Sequence, residues 1–117
     1  MTKYYILNAF SLNMLDPTVA AGSIEFTRLP GANAAFASLA DVRRGGTKQI
    51  IAAVGHADTA KIFSQLLGEE IVAARVTVSL KMGDLAIVGQ YVGTRLPEGA
   101  TSLPEGARID WFLVQLV

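Results

Sequence analysis

The chain has 117 residues, with ten basic and ten acidic side chains, one histidine, no cysteine and a mean hydropathy of +0.40. The length suits one domain spanning 1–117. The zero formal charge disfavours a protein that binds long nucleic acid electrostatically. The lack of cysteine excludes disulfides, zinc ribbons and a cysteine nucleophile. Since no segment approaches about 20 apolar residues, we expect no membrane span and a cytoplasmic protein. The high apolar content predicts a self-association interface.

The first half of the chain predicts strands and a helix in alternation. Residues 3–10 are rich in aromatic and β-branched side chains and predict a strand, which the polar segment 11–17 ends. Residues 22–29 alternate apolar and polar side chains, as in a half-buried strand. The alanine-rich segment 31–46 has apolar residues at helical spacing and predicts a helix. Residues 48–54 are mostly apolar and predict a strand that is central in its sheet.

The second half predicts another helix, followed by strands. Residues 58–68 have a helical apolar face, with Asp58 as the expected N-cap and Gly68 as the C-terminal stop. Residues 71–80 and 84–96 are separated by a short glycine turn, which predicts a β-hairpin.

Glycines interrupt the second strand of this expected hairpin. Gly89 and Gly93 weaken this strand, or mark a bulge or a close approach by another backbone or a ligand. Residues 97–107 predict a loop, and 108–117 a closing strand. The fold class is therefore α/β, with a mixed sheet of about five to six strands flanked by about two helices.

The standard catalytic motifs are absent from the sequence. One histidine and no cysteine leave only carboxylates as metal ligands, and no cluster of them has ligand spacing, so we expect no protein-held metal and no cofactor. No GxSxG, Walker or GxGxxG motif occurs.

The single histidine, His56, lies between the strand predicted at 48–54 and the helix predicted at 58–68. Ligands usually bind at the carboxyl ends of strands in α/β sheets, and free N–H groups at a helix start favour phosphate. Two interpretations of His56 stay open: a proton donor or acceptor aimed into a site, or a turn histidine bonded to the backbone.

Polar side chains also follow two other predicted strands. Asn8, Ser11 and Asn13 come at and after the end of the first, where they could contact a base edge or a ribose hydroxyl, or serve as ordinary turn residues. Arg95 and Glu98 flank the end of the strand predicted at 84–96. They could hold a phosphate, or form a surface ion pair worth about 0–1 kcal/mol.

Four segments together resemble one known family: LNAFSLNML (7–15), GHADTAKIFSQLLG (55–68), RVTVSL (75–80) and RLPEG (95–99). Their order and intervals are similar to those of the small ring nucleases first seen as proteins of archaeal viruses, which act there as anti-CRISPR proteins. Relatives occur in bacterial type III CRISPR loci and so belong to antiviral defence. The similarity covers nearly the whole chain.

The resemblance implies a homodimer with a mixed sheet flanked by helices. Such a hydrolase binds cyclic tetra-adenylate across the dimer interface and cuts it, without metal, to linear adenylates with a 2′,3′-cyclic phosphate. The resemblance assigns the role of general acid to His56, and the support of the transition state to Arg95 and Glu98. Arg75 is either an edge-strand residue or a ligand contact. The expected ligand-binding residues are Asn8, Ser11, Asn13, Gly55 and Arg75.

The reaction suits this composition, because the attacking 2′-hydroxyl belongs to the substrate and no protein nucleophile is needed. The leaving 5′-oxygen needs a proton, and histidine titrates near neutral pH. One departure from the family is local: an acidic residue often follows the histidine directly, whereas here Ala57 comes first and Asp58 second. Two alternatives remain at this point: a protein that binds the cyclic oligonucleotide without cutting it, and an interaction protein in which His56 fills a turn.

Overall fold

The computed structural model describes residues 3–45, 49–55, 57–68, 71, 73–74, 77–94, 99 and 102–117. Its elements follow the chain as five strands, two α-helices and one short 3-10 helix. The strands are β1 (Lys3–Leu7), β2 (Ile24–Leu29), β3 (Gln49–Ala53), β4 (Leu85–Val92) and β5 (Arg108–Leu116); the helices are α1 (Ala32–Gly45) and α2 (Ala57–Leu67), with the 3-10 turn at Leu12–Met14. The predicted α/β class, with a mixed sheet and two helices, is confirmed.

The strands form one sheet in the order β2-β5-β4-β1-β3. β1 pairs in parallel with both β3 and β4, while β5 is antiparallel to β4 and to β2. The carboxyl ends of β1, β3 and β4 therefore lie at the same edge of the sheet, which we call the carboxyl edge. In register, Leu7 lies opposite Ala53 on one side and Val88 on the other, so β4 continues beyond the last paired residue of β1.

Both α-helices contribute to the core on one face of the sheet. Phe63 of α2 packs against Trp111 of β5, with ring centroids 4.9 Å apart. Gly89 of β4 makes this approach feasible: a Cβ built there would lie 2.6 Å from Phe63 Cζ and 2.8 Å from Trp111 Cζ3. The close approach predicted at Gly89 was by a backbone or a ligand, whereas the group from α2 that approaches is the aromatic side chain of Phe63. The buried cluster on this face consists of Tyr4, Ile6, Ala35, Val54, Ala60, Phe63, Leu67, Ile71, Ile87 and Trp111.

The opposite face of the sheet is covered by loop segments over β1 and β4. Residues 10–15 and 78–80 cross it and are joined to each other, since Leu80 N–H donates to the Met14 carbonyl at 2.7 Å and Asp16 N–H donates to the Leu80 carbonyl at 2.9 Å. The cluster beneath them contains Tyr5, Leu7, Leu80, Ala86, Val88 and Val114.

Over β2 and β5 this second face is uncovered, and we call that part the open face. A groove of about 330 Å³ runs across it. Phe26 is 69% exposed and Ile24 37% exposed, although both are large apolar side chains. The groove is lined by Phe10, Ile24, Phe26, Val88, Gln90, Phe112 and Val114.

The predicted hairpin is wrong. Among the residues of 71–80 that the structure describes, only Leu80 takes part in β pairing, through an isolated parallel bridge to Leu15. β4 instead has β1 and β5 as its two neighbours, so no side is left for a strand from 71–80. Val78 and Leu80, which are alternating apolar residues of that segment, pack onto the sheet. β4 also ends at Val92, before the predicted end at 96.

Two other predictions about strands need correction. β3 is an outermost strand of the sheet and not a central one. It is apolar because both of its faces are covered: Ile50 and Ala52 pack on the helix side, Ile51 and Ala53 on the other. β2, predicted to be half-buried, is exposed along its length apart from Leu29.

No helix in the described part of the chain is long and apolar enough to cross a membrane.

Candidate functional site

The carboxyl edge is the candidate site, and β1 leads directly into it. The strand ends at Leu7, and the half-buried Asn8 is the next residue. Ser11 and Asn13 follow on the exposed surface, where Leu12–Met14 forms the 3-10 turn. Ser11 precedes this turn but makes no capping hydrogen bond with its side chain to the residues described there. The Ser11 hydroxyl therefore does not cap this turn, although an ordinary role in a turn was the alternative to ligand binding.

β3 leads into the same edge. Val54 is fully buried, and its carbonyl accepts a hydrogen bond of 2.9 Å from Ala74 N–H, which fixes the chain at the end of the strand. Gly55 follows and is half-buried. α2 begins at Ala57, so Asp58 lies in its first turn and not at the N-cap, which corrects the prediction.

β4 enters the edge from the other side of β1. Beyond Val92, Gly93 has φ +152, and a Cβ built there would lie 2.9 Å from the Ala107 Cβ, so a side chain would not fit. The Tyr91 hydroxyl donates to the Thr94 carbonyl and ties down the first residues after the strand.

A hydrogen bond connects the segment after β4 with the start of α2. The Gly99 N–H donates to Oδ2 of Asp58 at 3.0 Å, although the two residues are 41 positions apart in the chain. Gly99 has φ +81, a left-handed conformation that favours glycine. Gly99, seven residues after the end of β4 at Val92, therefore lies beside the first turn of α2.

Among the predicted site residues, Asn8 directly follows β1 and Gly55 lies two residues after β3, two parallel strands that end at the carboxyl edge, while Ser11 and Asn13 lie in the exposed segment after β1. The other predicted site residues, His56, Arg75, Arg95 and Glu98, lie outside the described residues. Their chain neighbours are informative: Gly55 and Ala57 flank His56, and Gly99 comes directly after Glu98.

The open face carries a charged cluster that was not predicted from the sequence. Arg28 of β2 and Arg108 of β5 both lie beside Asp110, with Arg28 Nη1 3.6 Å from Oδ2 and Arg108 Nε 3.0 Å from Oδ1. The Arg28 guanidinium also lies over the Phe112 ring, 4.6 Å from its centroid. Arg28 lies 80 positions before Arg108 and 82 before Asp110, so the cluster has no local sequence signature and only the pairing of β2 with β5 reveals it.

Two further aspartates hold loops in place. Asp84 is buried and accepts hydrogen bonds from the backbone N–H groups of Lys3 and Lys81, at 3.0 and 2.9 Å. Asp16 accepts from the Ser79 hydroxyl and from the hydroxyl and N–H of Thr18, and these bonds hold the pKa of Asp16 well below its usual range. Both carboxylates are thus committed to structure. The described residues contain no group of three His, Cys, Asp or Glu side chains that could hold a metal ion.

Comparisons with known proteins agree with this architecture. Among solved structures, the chain is similar to B116 of Sulfolobus turreted icosahedral virus, with a TM-score of 0.78 and 28% sequence identity over 97% of this chain and 98% of that one. The comparison with curated proteins gave no match. The family model described as STIV B116-like matches residues 4–108. Since this match spans nearly the whole sequence, the chain belongs to the STIV B116-like family.

Proposed function

We propose that the protein is a metal-independent ring nuclease that binds cyclic tetra-adenylate at a homodimer interface and cleaves it to linear adenylates ending in a 2′,3′-cyclic phosphate. The observation that supports this most directly is the hydrogen bond from Gly99 to Asp58. Gly99 directly follows Glu98, and Asp58 comes two residues after His56. The contact therefore joins the two parts of the chain to which the resemblance assigns the general acid and the transition-state support.

The substrate enters the proposal through the polar residues after β1. Asn8, Ser11 and Asn13 offer amide and hydroxyl groups that can both donate and accept, as adenine edges and ribose hydroxyls require. Gly55 leaves room for a close approach of the ligand to the backbone at the end of β3. In the proposal these groups orient the ribose 2′-hydroxyl in line with the neighbouring phosphate, because positioning supplies much of the rate.

In the chemical step the 2′-hydroxyl gives up its proton to solvent, the 2′-oxygen bonds to phosphorus, and the bond from phosphorus to the 5′-oxygen breaks. His56 donates its proton to that leaving oxygen, a contribution of typically ~10²–10⁴-fold in rate. Arg95 stabilises the charge that develops on the non-bridging oxygens, and Glu98 orients the arginine. Arg75 is proposed as a further ligand contact.

A second copy of the chain completes the proposed site. A two-fold dimer presents each catalytic group twice around a ring that itself has approximate two-fold symmetry. The open face supports self-association, because Phe26 and Ile24 lie exposed beside an apolar groove in the isolated chain.

One observation favours the alternative, a protein that binds the ring without cleaving it. Asp58 is engaged with the Gly99 backbone, whereas in the ring nucleases the acidic residue often follows the histidine directly. If that acid is needed to orient the imidazole, its displacement to position 58 slows cleavage and leaves binding intact.

The test is to incubate purified protein with cyclic tetra-adenylate in excess EDTA and identify products by chromatography and mass spectrometry. We expect linear products with a cyclic phosphate, formed at least ~100-fold more slowly by His56→Ala and at the parental rate by Gln65→Ala, an exposed control on α2. An intact ring together with a ligand-induced rise in Tm would establish the binding alternative. An intact ring with no change in Tm would contradict both.

A further inference from the structure

The cluster of Arg28, Arg108 and Asp110 carries an excess of positive charge. Two guanidinium groups share one carboxylate, so the cluster has a net charge of about +1 at neutral pH, whereas the whole chain has a formal charge of zero. The arginine side chains are 65% and 67% exposed and that of Asp110 only 22%. The cations are thus the part of the cluster that an incoming ligand meets.

The two arginines are held differently. Arg108 Nε is 3.0 Å from Asp110, within hydrogen-bond distance. Arg28 Nη1 is 3.6 Å from the same carboxylate, which is longer than a charge-assisted hydrogen bond. Arg28 is positioned instead by the Phe112 ring beneath it. A guanidinium that is fixed by stacking keeps its N–H groups available for a planar, two-point contact.

The cluster lies at the same end of the sheet as the candidate site. Asp110 lies opposite Gln90, and Arg108 opposite Val92, the last residue of β4. β5 is two strands from β1 in the sheet, a separation of about 10 Å at the usual spacing of ~4.8 Å per strand.

The groove of the open face connects the cluster with the segment after β1. Phe10, between Asn8 and Ser11 in sequence, lines this groove together with Phe112, on which Arg28 stacks. A ligand seated over Asn8 and Ser11 that extends along the groove therefore meets the arginines next.

We infer that Arg28 and Arg108 form a phosphate-binding subsite for a cyclic oligonucleotide. Guanidinium groups bind phosphate oxygens through paired N–H donors, and a ring of four nucleotides carries an anionic phosphodiester at each linkage. The incoming phosphate competes with Asp110 for the Arg108 Nε donor and is repelled by the carboxylate beside both arginines, so Asp110 weakens binding. This inference rests on the proposed function for the identity of the ligand, but it concerns residues outside the proposed catalytic set.

Because Asp110 weakens binding and the arginines strengthen it, their variants are expected to change the affinity in opposite directions. Affinity for cyclic tetra-adenylate is measured by calorimetry in the His56→Ala background, which keeps the ring intact. We expect Arg28→Gln and Arg108→Gln each to raise Kd about tenfold or more, Asp110→Asn to lower it about threefold or more, and Lys81→Gln to leave it within twofold. Lys81 is an exposed cation just before β4, at the opposite end of the sheet.

Three measurements guard against indirect effects. The Tm of each variant without ligand shows whether the fold is intact, and Arg28→Lys, which retains the charge and loses the planar fork, is expected to bind with intermediate affinity. Sedimentation of the same variants shows whether the arginines serve self-association instead.

The outcomes separate this subsite from the proposed function. Unchanged affinity in both arginine variants, or weaker binding by Asp110→Asn, would overturn the subsite while the ring-binding function stands. A dimer that dissociates in Arg28→Gln with unchanged ring affinity per folded protomer would assign the arginines to the subunit contact. No binding of the ring by the parental protein would remove the proposed function and the subsite together.

Discussion

The Gly99 N–H donates to the carboxylate of Asp58, so the segment that follows β4 is fastened to the first turn of α2. The donor is a backbone group of a glycine in the left-handed conformation, and the acceptor stands at a helix start, where a carboxylate is favoured by the helix dipole. One bond thus fixes the relative position of two segments that the sheet alone leaves independent.

Replacing Asp58 should release this connection. We expect Asp58→Ala to increase amide exchange at Gly99 and to raise KM for ring cleavage, while the free energy of unfolding falls by only about 1 kcal/mol, the usual net value of one hydrogen bond. Exchange is followed by mass spectrometry on the folded protein. Asp58→Asn retains an acceptor oxygen and should behave more like the parent; equal exchange at Gly99 in all three proteins would show that the bond has no role in solution.

Gly89 should tolerate no side chain. A Cβ at this position would lie 2.6 Å from Phe63 Cζ, so Gly89→Ala forces α2 away from the sheet or rotates two packed rings. We expect a loss of about 1–3 kcal/mol in the free energy of unfolding, the usual cost of overpacking a core. Urea denaturation measures it. Gly22→Ala is the control, since its Cβ would lie 3.4 Å from its nearest neighbours, Met82 Sδ and the Val117 carbonyl oxygen; equal stability of the two variants would contradict this account.

Local patterns predicted those parts of the fold that depend on local physics. The helical spacing of Phe63 and Leu67 reports a buried helix face, and both side chains are buried. The end of the first strand was predicted at residue 10, but β1 ends at Leu7, because the polar Asn8 already interrupts the apolar run. The glycine at position 89 suggested a close approach by a backbone or a ligand, but the sequence contains no signal that the approaching group is the side chain of Phe63.

Non-local pairing explains the errors. Val78 and Leu80 alternate with polar residues as a strand would, but the same alternation suits a segment that packs one side onto a sheet face. The apolar sequence of β3 indicates that both faces of the strand are covered, but it does not indicate the position of the strand in the sheet. In the candidate site, the Asp58–Gly99 contact depends on where two distant segments meet, which no local pattern records.

Phe26 should control self-association. Its side chain is 69% exposed on the open face and lines the apolar groove there, a surface that a second copy of the chain would bury. We expect the parental protein to sediment as a dimer at micromolar concentration, and Phe26→Ser to weaken the dimer at least ~10-fold, as removal of a central aromatic side chain usually does. Thr27→Ala, on the opposite face of β2, should leave the dimer intact. A monomeric parental protein at tens of micromolar would refute the dimer.

Asp16 should make the loop after Asn13 sensitive to acid. Hydrogen bonds from Ser79 and Thr18 hold the pKa of Asp16 below its usual range, so the folded state favours the ionised carboxylate. The stabilisation is complete above the unfolded pKa of about 3.9 and is lost as pH falls through the lower folded pKa. We therefore expect Asp16→Asn to be less stable than the parent at pH 7, and the difference to shrink as pH falls from about 4 towards 2. Thermal unfolding of both proteins across this range measures the difference, in which the titration of all other carboxylates cancels; a difference that stays constant with pH would show that these hydrogen bonds do not favour the charged form.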